Sequence, residues 1–159
     1  MYITFQEYTA LYDFIGEKAF NRLSFEACKY IDRLTTGVDG IKKLKVAMPT
    51  EDDDKAAVSM CAAHVINLLH QIEEAEQSAS LSRGLVLTGA GLHGKLVSSV
   101  SSGSETISYS TTHANTVIDA AISNDAEREK IIYRTIRRYL TGAKDANGVN
   151  LLYMGVYPA

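Results

Sequence analysis

Apolar residues recur at helical spacing in three stretches of this chain and thin out between the last two. From Phe20, the positions Leu23, Ala27, Tyr30, Ile31 and Leu34 fall three or four apart, which predicts a helix over Glu17–Thr35. Gly37 is placed to close it in the left-handed conformation. Ala57, Cys61, Val65, Leu68 and Ile72 draw a second buried stripe. Pro49 and Thr50 open it, and Glu51 to Asp54 sit where a helix N-terminus is positive. The spacing predicts a long helix over Glu51–Glu76, the spine of the domain. Ile132, Ile136, Tyr139 and Leu140 form the third stripe, from the capping box Asn124-Asp125-Ala126-Glu127 to Gly142. A helix over Asn124–Leu140 follows. Thr4-Phe5-Gln6-Glu7 is another capping box and predicts a first helix over Phe5–Tyr12. Lys42-Lys43 to Lys45 reads as a basic loop.

Between Ser78 and Thr112 serine, glycine and threonine dominate. Leu96 to Val100 and Thr106 to Ser110 read as two strands joined near Gly103, a hairpin arm over about 96–110. Val97, Val100, Ile107 and Tyr109 are nearly its whole apolar content. A two-stranded hairpin is marginal in water, and one polar on both faces has a poorly fixed register and open edges. It is either a loop or an element completed by another chain through strand addition. Past Gly142 a C-terminal arm, about 143–159, carries Leu151, Leu152 and Tyr153. Together with the four hairpin residues these are the candidate contacts between subunits or with a partner. The fold class that results is mainly α. A single domain over 1–159 holds a bundle of about four helices, with a projecting β-hairpin and an extended C-terminal tail.

Composition narrows the function. The chain has 159 residues, 46% hydrophobic and 22% charged, enough for a packed core without staples. A net charge of −3 gives no basic footprint for nucleic acid. Cys28 and Cys61 fall on predicted helices among apolar neighbours, the pattern of buried free thiols in a reducing compartment. Met1 to Tyr12 lacks the basic start and apolar run of a signal peptide. No segment approaches the roughly 20 apolar residues that span a bilayer. The expectation is a protein made in a cytoplasm that does not enter the membrane.

One motif tempts an enzymatic reading. Gly89-Ala90-Gly91-Leu92-His93-Gly94-Lys95 matches G-x-G-x-x-G and the first seven positions of a phosphate-binding loop. Leu96 stands where that loop needs Ser or Thr for magnesium. The residues after Lys95 read as a strand rather than the helix whose N-terminus would receive a phosphate. The flanks also lack the alternating strands and helices of a nucleotide fold. Gly89 to Lys95 therefore reads as a connecting loop, with nucleotide binding kept as an alternative. His64, between Cys61 and Leu68, reads as a core histidine. His64 and His70, six residues apart, face different sides of a helix. Glu51 to Asp54 read as a helix start rather than a cation site. No serine sits in G-x-S-x-G and no acid–base pair stands out. The chain is expected to be no enzyme, with no cofactor, metal or catalytic residue.

Beyond these readings the chain resembles a family. Tyr2-Ile3-Thr4-Phe5-Gln6-Glu7-Tyr8, Phe20-Asn21-Arg22-Leu23 and Ile31-Asp32-Arg33-Leu34-Thr35 are similar to the opening helices of the head–tail connector (adaptor) proteins of siphophages and prophages. Ser98 to Gly103 with Thr106-Ile107-Ser108-Tyr109 resembles that family's serine-rich hairpin. Tyr139-Leu140-Thr141-Gly142 and Leu151-Leu152-Tyr153-Met154-Gly155-Val156 resemble its close. Two departures stand out: Met154 where the family's tail has arginine, and Asp145-Ala146-Asn147-Gly148, which lengthens the link to the tail. The resemblance implies a structural protein of the virion, assembled in the host cytoplasm. Copies form a ring, dodecameric in the virion, beneath the portal protein. That ring extends the DNA channel without reading its sequence and receives the next connector or tail-completion protein. A generic helical adaptor or regulator is the other alternative.

Overall fold

The computed structural model describes residues 1–12, 15–82, 86–88, 91–93, 99–102, 105–108 and 117–158. The protein is mainly helical. Along the chain the elements are α1 (Phe5–Thr9), α2 (Glu17–Leu34), α3 (Lys43–Val46), α4 (Asp52–Ser82), β1 (Val86–Thr88), β2 (Gly91–His93), β3 (Ser99–Ser102), β4 (Glu105–Ser108), α5 (Val117–Ser123) and α6 (Asp125–Leu140). They fall into two compact units: residues 1–70 with 129–159, and residues 71–128.

In the first unit α1 starts on the capping box that the sequence predicts. Thr4 Oγ1 accepts from Glu7 N at 3.2 Å, and Glu7 Oε2 accepts from Thr4 N at 2.7 Å. The helix ends at Thr9 rather than Tyr12, in turns where Leu11 and Tyr12 N–H both donate to the Tyr8 carbonyl. Helix α2 buries Phe20, Leu23, Ser24, Ala27 and Ile31. Its closing residue is Thr35, with φ −97°, whose hydroxyl donates to the Ile31 carbonyl at 2.9 Å. The left-handed glycine nearby is Gly40, not the expected Gly37. Gly37 is required for another reason: a Cβ there would lie 2.8 Å from Asp39 Oδ1 and 2.8 Å from the Gly155 carbonyl. The expected basic loop holds the one-turn helix α3, whose Lys43 is fully buried.

Helix α4 runs on to Ser82, past the expected end at Glu76. No glycine or proline intervenes before Gly84, and serine lowers helix propensity only modestly. Val58, Cys61, Ala62, Ala63, Val65, Ile66 and Leu69 all enter the core, a wider face than the predicted stripe. Leu69, not Leu68, is the buried leucine; Leu68 packs at the core's margin. Ile132, Ile136 and Leu140 of α6 join the same core. At the other end, the Phe5 and Tyr8 rings each lie 5.3 Å from Phe20.

In the second unit two antiparallel pairs form. One is β1–β2, with Val86 opposite His93 and Thr88 opposite Gly91. The other is β3–β4, with Ser99 opposite Ser108 and Val100 opposite Ile107. Val97 and Tyr109 lie outside the described residues. Helix α5 precedes the predicted last helix, and Asn124 is the junction between them. Its N–H donates to the Ala120 carbonyl, and its Oδ1 accepts from Ala126 N at 2.8 Å to cap α6. Arg128 pairs with Glu76. Among the described residues no helix is long and apolar enough to cross a membrane.

Candidate assembly surface: the docked C-terminal tail

Helix α6 ends at Leu140, and Gly142, predicted to close it, takes the left-handed conformation with φ +87°. Five residues later the chain has reversed. Asp145 Oδ1 accepts from Asn147 N and Val149 N, each at 2.9 Å. The Asp145 N–H donates to the Val149 carbonyl, Gly148 N–H donates back to the Asp145 carbonyl, and Gly148 takes φ +75°. This is an aspartate-led turn closed by a left-handed glycine. Leu151 N–H then donates to the Ala143 carbonyl at 2.9 Å. Asp145 to Gly148 therefore does not extend the tail's reach; it turns the tail back onto the helices.

The consequence is a correction. Leu151 is fully buried in the core of the first unit, so the tail at this position is not a free arm. A leucine beside Leu140 and Ala143 in one cluster gains more by leaving water than by waiting for a neighbour. Leu152 is partly buried against the same core, and Tyr153 is half exposed.

Three charged side chains hold the rest of the tail. The buried Lys43 ammonium donates to the Leu151 carbonyl at 3.1 Å and to the Tyr153 carbonyl. Burial pulls its pKa below the usual lysine value, against the charges of Asp145 and Asp39. Asp39 Oδ2 accepts from Tyr157 N at 2.6 Å and Oδ1 from Ile41 N at 3.0 Å, which holds this carboxyl below its usual range. Val38 N–H donates to the Met154 carbonyl. Finally, the Tyr157 hydroxyl donates to Asp145 Oδ2 at 2.5 Å and accepts from Asn147 Nδ2 at 2.9 Å. Burial, then the bond to Asp145, raises this phenol's pKa.

Outside those anchors lie exposed apolar side chains. Val38 is 73% exposed, Val156 68%, and Tyr153 and Met154 about half. They stand on the tail and on the loop that receives it, so an exposed apolar patch borders the docked tail. Met154 contributes its carbonyl to Val38 and its side chain to this patch.

The other predicted positions divide differently. Val100 and Ile107 are register partners in β3–β4. His64 takes a structural place: the Tyr12 hydroxyl lies 2.5 Å from its Nδ1, and its ring stacks on Tyr139 at 4.5 Å. Burial, helped by the Arg138 charge, lowers the imidazole's pKa. Cys61 is buried, and burial pushes its thiol up to about 12, the chemistry of a packing residue rather than a nucleophile. Gly91 to His93 is a strand paired with Val86 to Thr88, while residues 94–98, where a phosphate-binding loop would open its helix, lie outside the described residues. Among the described residues no group of three His, Cys, Asp or Glu could hold a metal ion. Sequence reading missed Lys43, Asp39, Asp145 and Tyr157. The Asn147-Gly148 dipeptide signals the reversal of the tail; nothing local marks the others.

No family model, curated protein or solved structure matches this chain.

Proposed function

We propose that this chain is a head–tail connector protein of a long-tailed phage or prophage, a structural part of the virion assembled in the host cytoplasm. Its copies form a ring beneath the portal protein, with twelve the number that the family resemblance implies. The ring carries DNA through its channel and docks the next connector or tail-completion protein. The observation that carries this reading is the exposed apolar patch of Val38, Tyr153, Met154 and Val156 on the docked tail. Exposed apolar side chains on a segment docked through Lys43, Asp39, Asp145 and Tyr157 suit a surface meant to be covered by another protein. The tail motif behind the family resemblance, Leu151 to Val156, supplies Tyr153 and Val156, with Met154 standing where the family has arginine.

On this reading the hairpin at β3–β4 projects from the helices and is completed by a neighbour or by the portal, through strand addition at its open edges. Val100 and Ile107 are then contact residues, and Val97 and Tyr109, outside the described residues, are proposed for the same contact. Leu151 is left out of that set, because it belongs to the core. The test is to express the chain with the portal protein encoded beside it and to image the product by electron microscopy. A ring of this chain seated on the portal is expected. A chain that neither binds a portal nor has portal, terminase and capsid genes beside its own contradicts the proposal.

A further inference from the structure

The outer face of α2 carries a second surface, of different chemistry. Lys18, Arg22, Phe25, Lys29 and Arg33 are all exposed and recur every three or four residues, so they form one stripe about 22 Å long. Phe25 is 65% exposed, with Lys29 Nζ 4.5 Å above its ring. A groove of about 430 Å³ lies along the stripe, with Tyr30, Glu26 and Glu129 among its walls. A second groove of about 480 Å³ shares Lys29 and Arg33 and continues to Lys42. Arg33 reaches Glu129 at 3.1 Å, and both side chains stay largely in solvent.

A cationic face on a chain of net charge −3 calls for an anionic counterpart. The same unit has one at the start of α4, where Glu51, Asp52 and Asp53 are exposed. The Asp52 side chain is 98% exposed and pairs with Lys55 at 3.0 Å. We infer that the basic stripe of α2 on one copy binds Glu51 to Asp53 on a second copy of this chain.

Three features favour a second copy over a polyphosphate. Glu26 and Glu129 stand among the cations of the first groove and repel a continuous run of phosphates. The start of α4 has the matching alternation, with Lys55 beside its carboxylates. Phe25, at the centre of the stripe, adds an apolar contact that nucleic-acid backbone does not use. Because the two patches differ, the contact is heterologous: each copy offers an acidic patch to one neighbour and a basic stripe to the other. Such contacts close into a ring when the rotation permits. This deepens the connector reading and rests on it for the closed ring; the pairing itself belongs to the isolated chain.

The test is sedimentation of the full chain at low and high salt, with charge reversals on each patch. Wild type is expected to self-associate, less so at high salt, because exposed charges are screened. Lys29→Glu with Arg33→Glu, and separately Asp52→Lys with Asp53→Lys, should each raise the dissociation constant about tenfold or more. An equimolar mixture of the two variants should associate again, since each then offers the sign that the other needs. Circular dichroism checks that both are folded; if a reversal unfolds the chain, alanines at the same positions are read instead. A wild-type chain that stays monomeric overturns the inference. So does association indifferent to the reversals, or a mixture that fails to recover. Loss of duplex-DNA binding in the α2 reversal, with self-association intact, would give the stripe to a polyanion and overturn it as well. Recovery in the mixture without binding to the portal would sink the connector reading alone.

Discussion

The C-terminal tail and the β3–β4 pair are both extended segments, yet they are held in unlike ways. The tail has one leucine in the core, a buried lysine under two of its carbonyls, and two carboxylates that accept from its N–H groups and from Tyr157. The β3–β4 pair has main-chain pairing and one apolar cross-strand match, Val100 with Ile107; its other partners are Ser99 with Ser108, Ser101 with Thr106 and Ser102 with Glu105. A cross-strand pair contributes only about 0.2–1 kcal/mol, and an isolated two-stranded hairpin is marginal. The difference teaches that a segment docks when it brings an apolar anchor and buried polar partners together.

The strongest way to break this contrast is Leu151→Ala. Deleting a buried leucine costs about 2–5 kcal/mol, which should show as a lower denaturation midpoint. An unchanged midpoint would mean that the tail is an arm after all. Lys43→Met comes next. It keeps much of the side-chain volume but leaves two tail carbonyls without their donor, for about 1–3 kcal/mol. The amide resonances of Val38 and Tyr157 should move toward unfolded positions while those of α2 and α4 stay. Tail resonances that do not move would show that Leu151 alone holds it.

Acid gives a gentler probe. The carboxyl of Asp39 titrates below its ordinary value of 3.8, because the Tyr157 and Ile41 N–H groups favour its charged form. A depressed carboxylate pKa stabilises the folded state above the ordinary value, and that contribution is lost as pH falls through the folded one. The tail should therefore loosen on acidification below that range. Asp39→Asn should remove this step; a tail that loosens identically in the variant would contradict the assignment. On the other segment, Val100→Ser should change the stability of the first unit by less than about 0.5 kcal/mol. A larger loss in denaturation would mean that the hairpin supports the core.

These contrasts follow the line between what the sequence discloses and what it hides. Helix starts were legible because their signals are local: Thr4 with Glu7, Asn124 with Ala126, and Gly142 at the end of α6. The end of α4 is not marked in the sequence, because Ser78 to Ser82 bring a change of composition without a glycine or proline to stop the helix. The docking of the tail was hidden for a deeper reason. Lys43 meets Leu151 across 108 positions and Asp39 meets Tyr157 across 118. Periodicity read over one or two turns of helix carries no information at that range. Hence Leu151 looked like an exposed anchor, Lys43 like part of a basic loop, and Gly37 like a helix cap instead of the seat of Gly155.

Hydrogen exchange on the free chain and on the chain mixed with the portal protein proposed as its partner tests the central claim most directly. The amides of Val38, Leu151 and Tyr157, each donating to a defined acceptor, should be protected in the free chain. Those of Ser99–Ser102 and Glu105–Ser108 should exchange quickly when free and slow down only in the assembly. A tail that exchanges at unfolded rates in the free chain, or a hairpin already protected there and unchanged by the portal, would contradict the account.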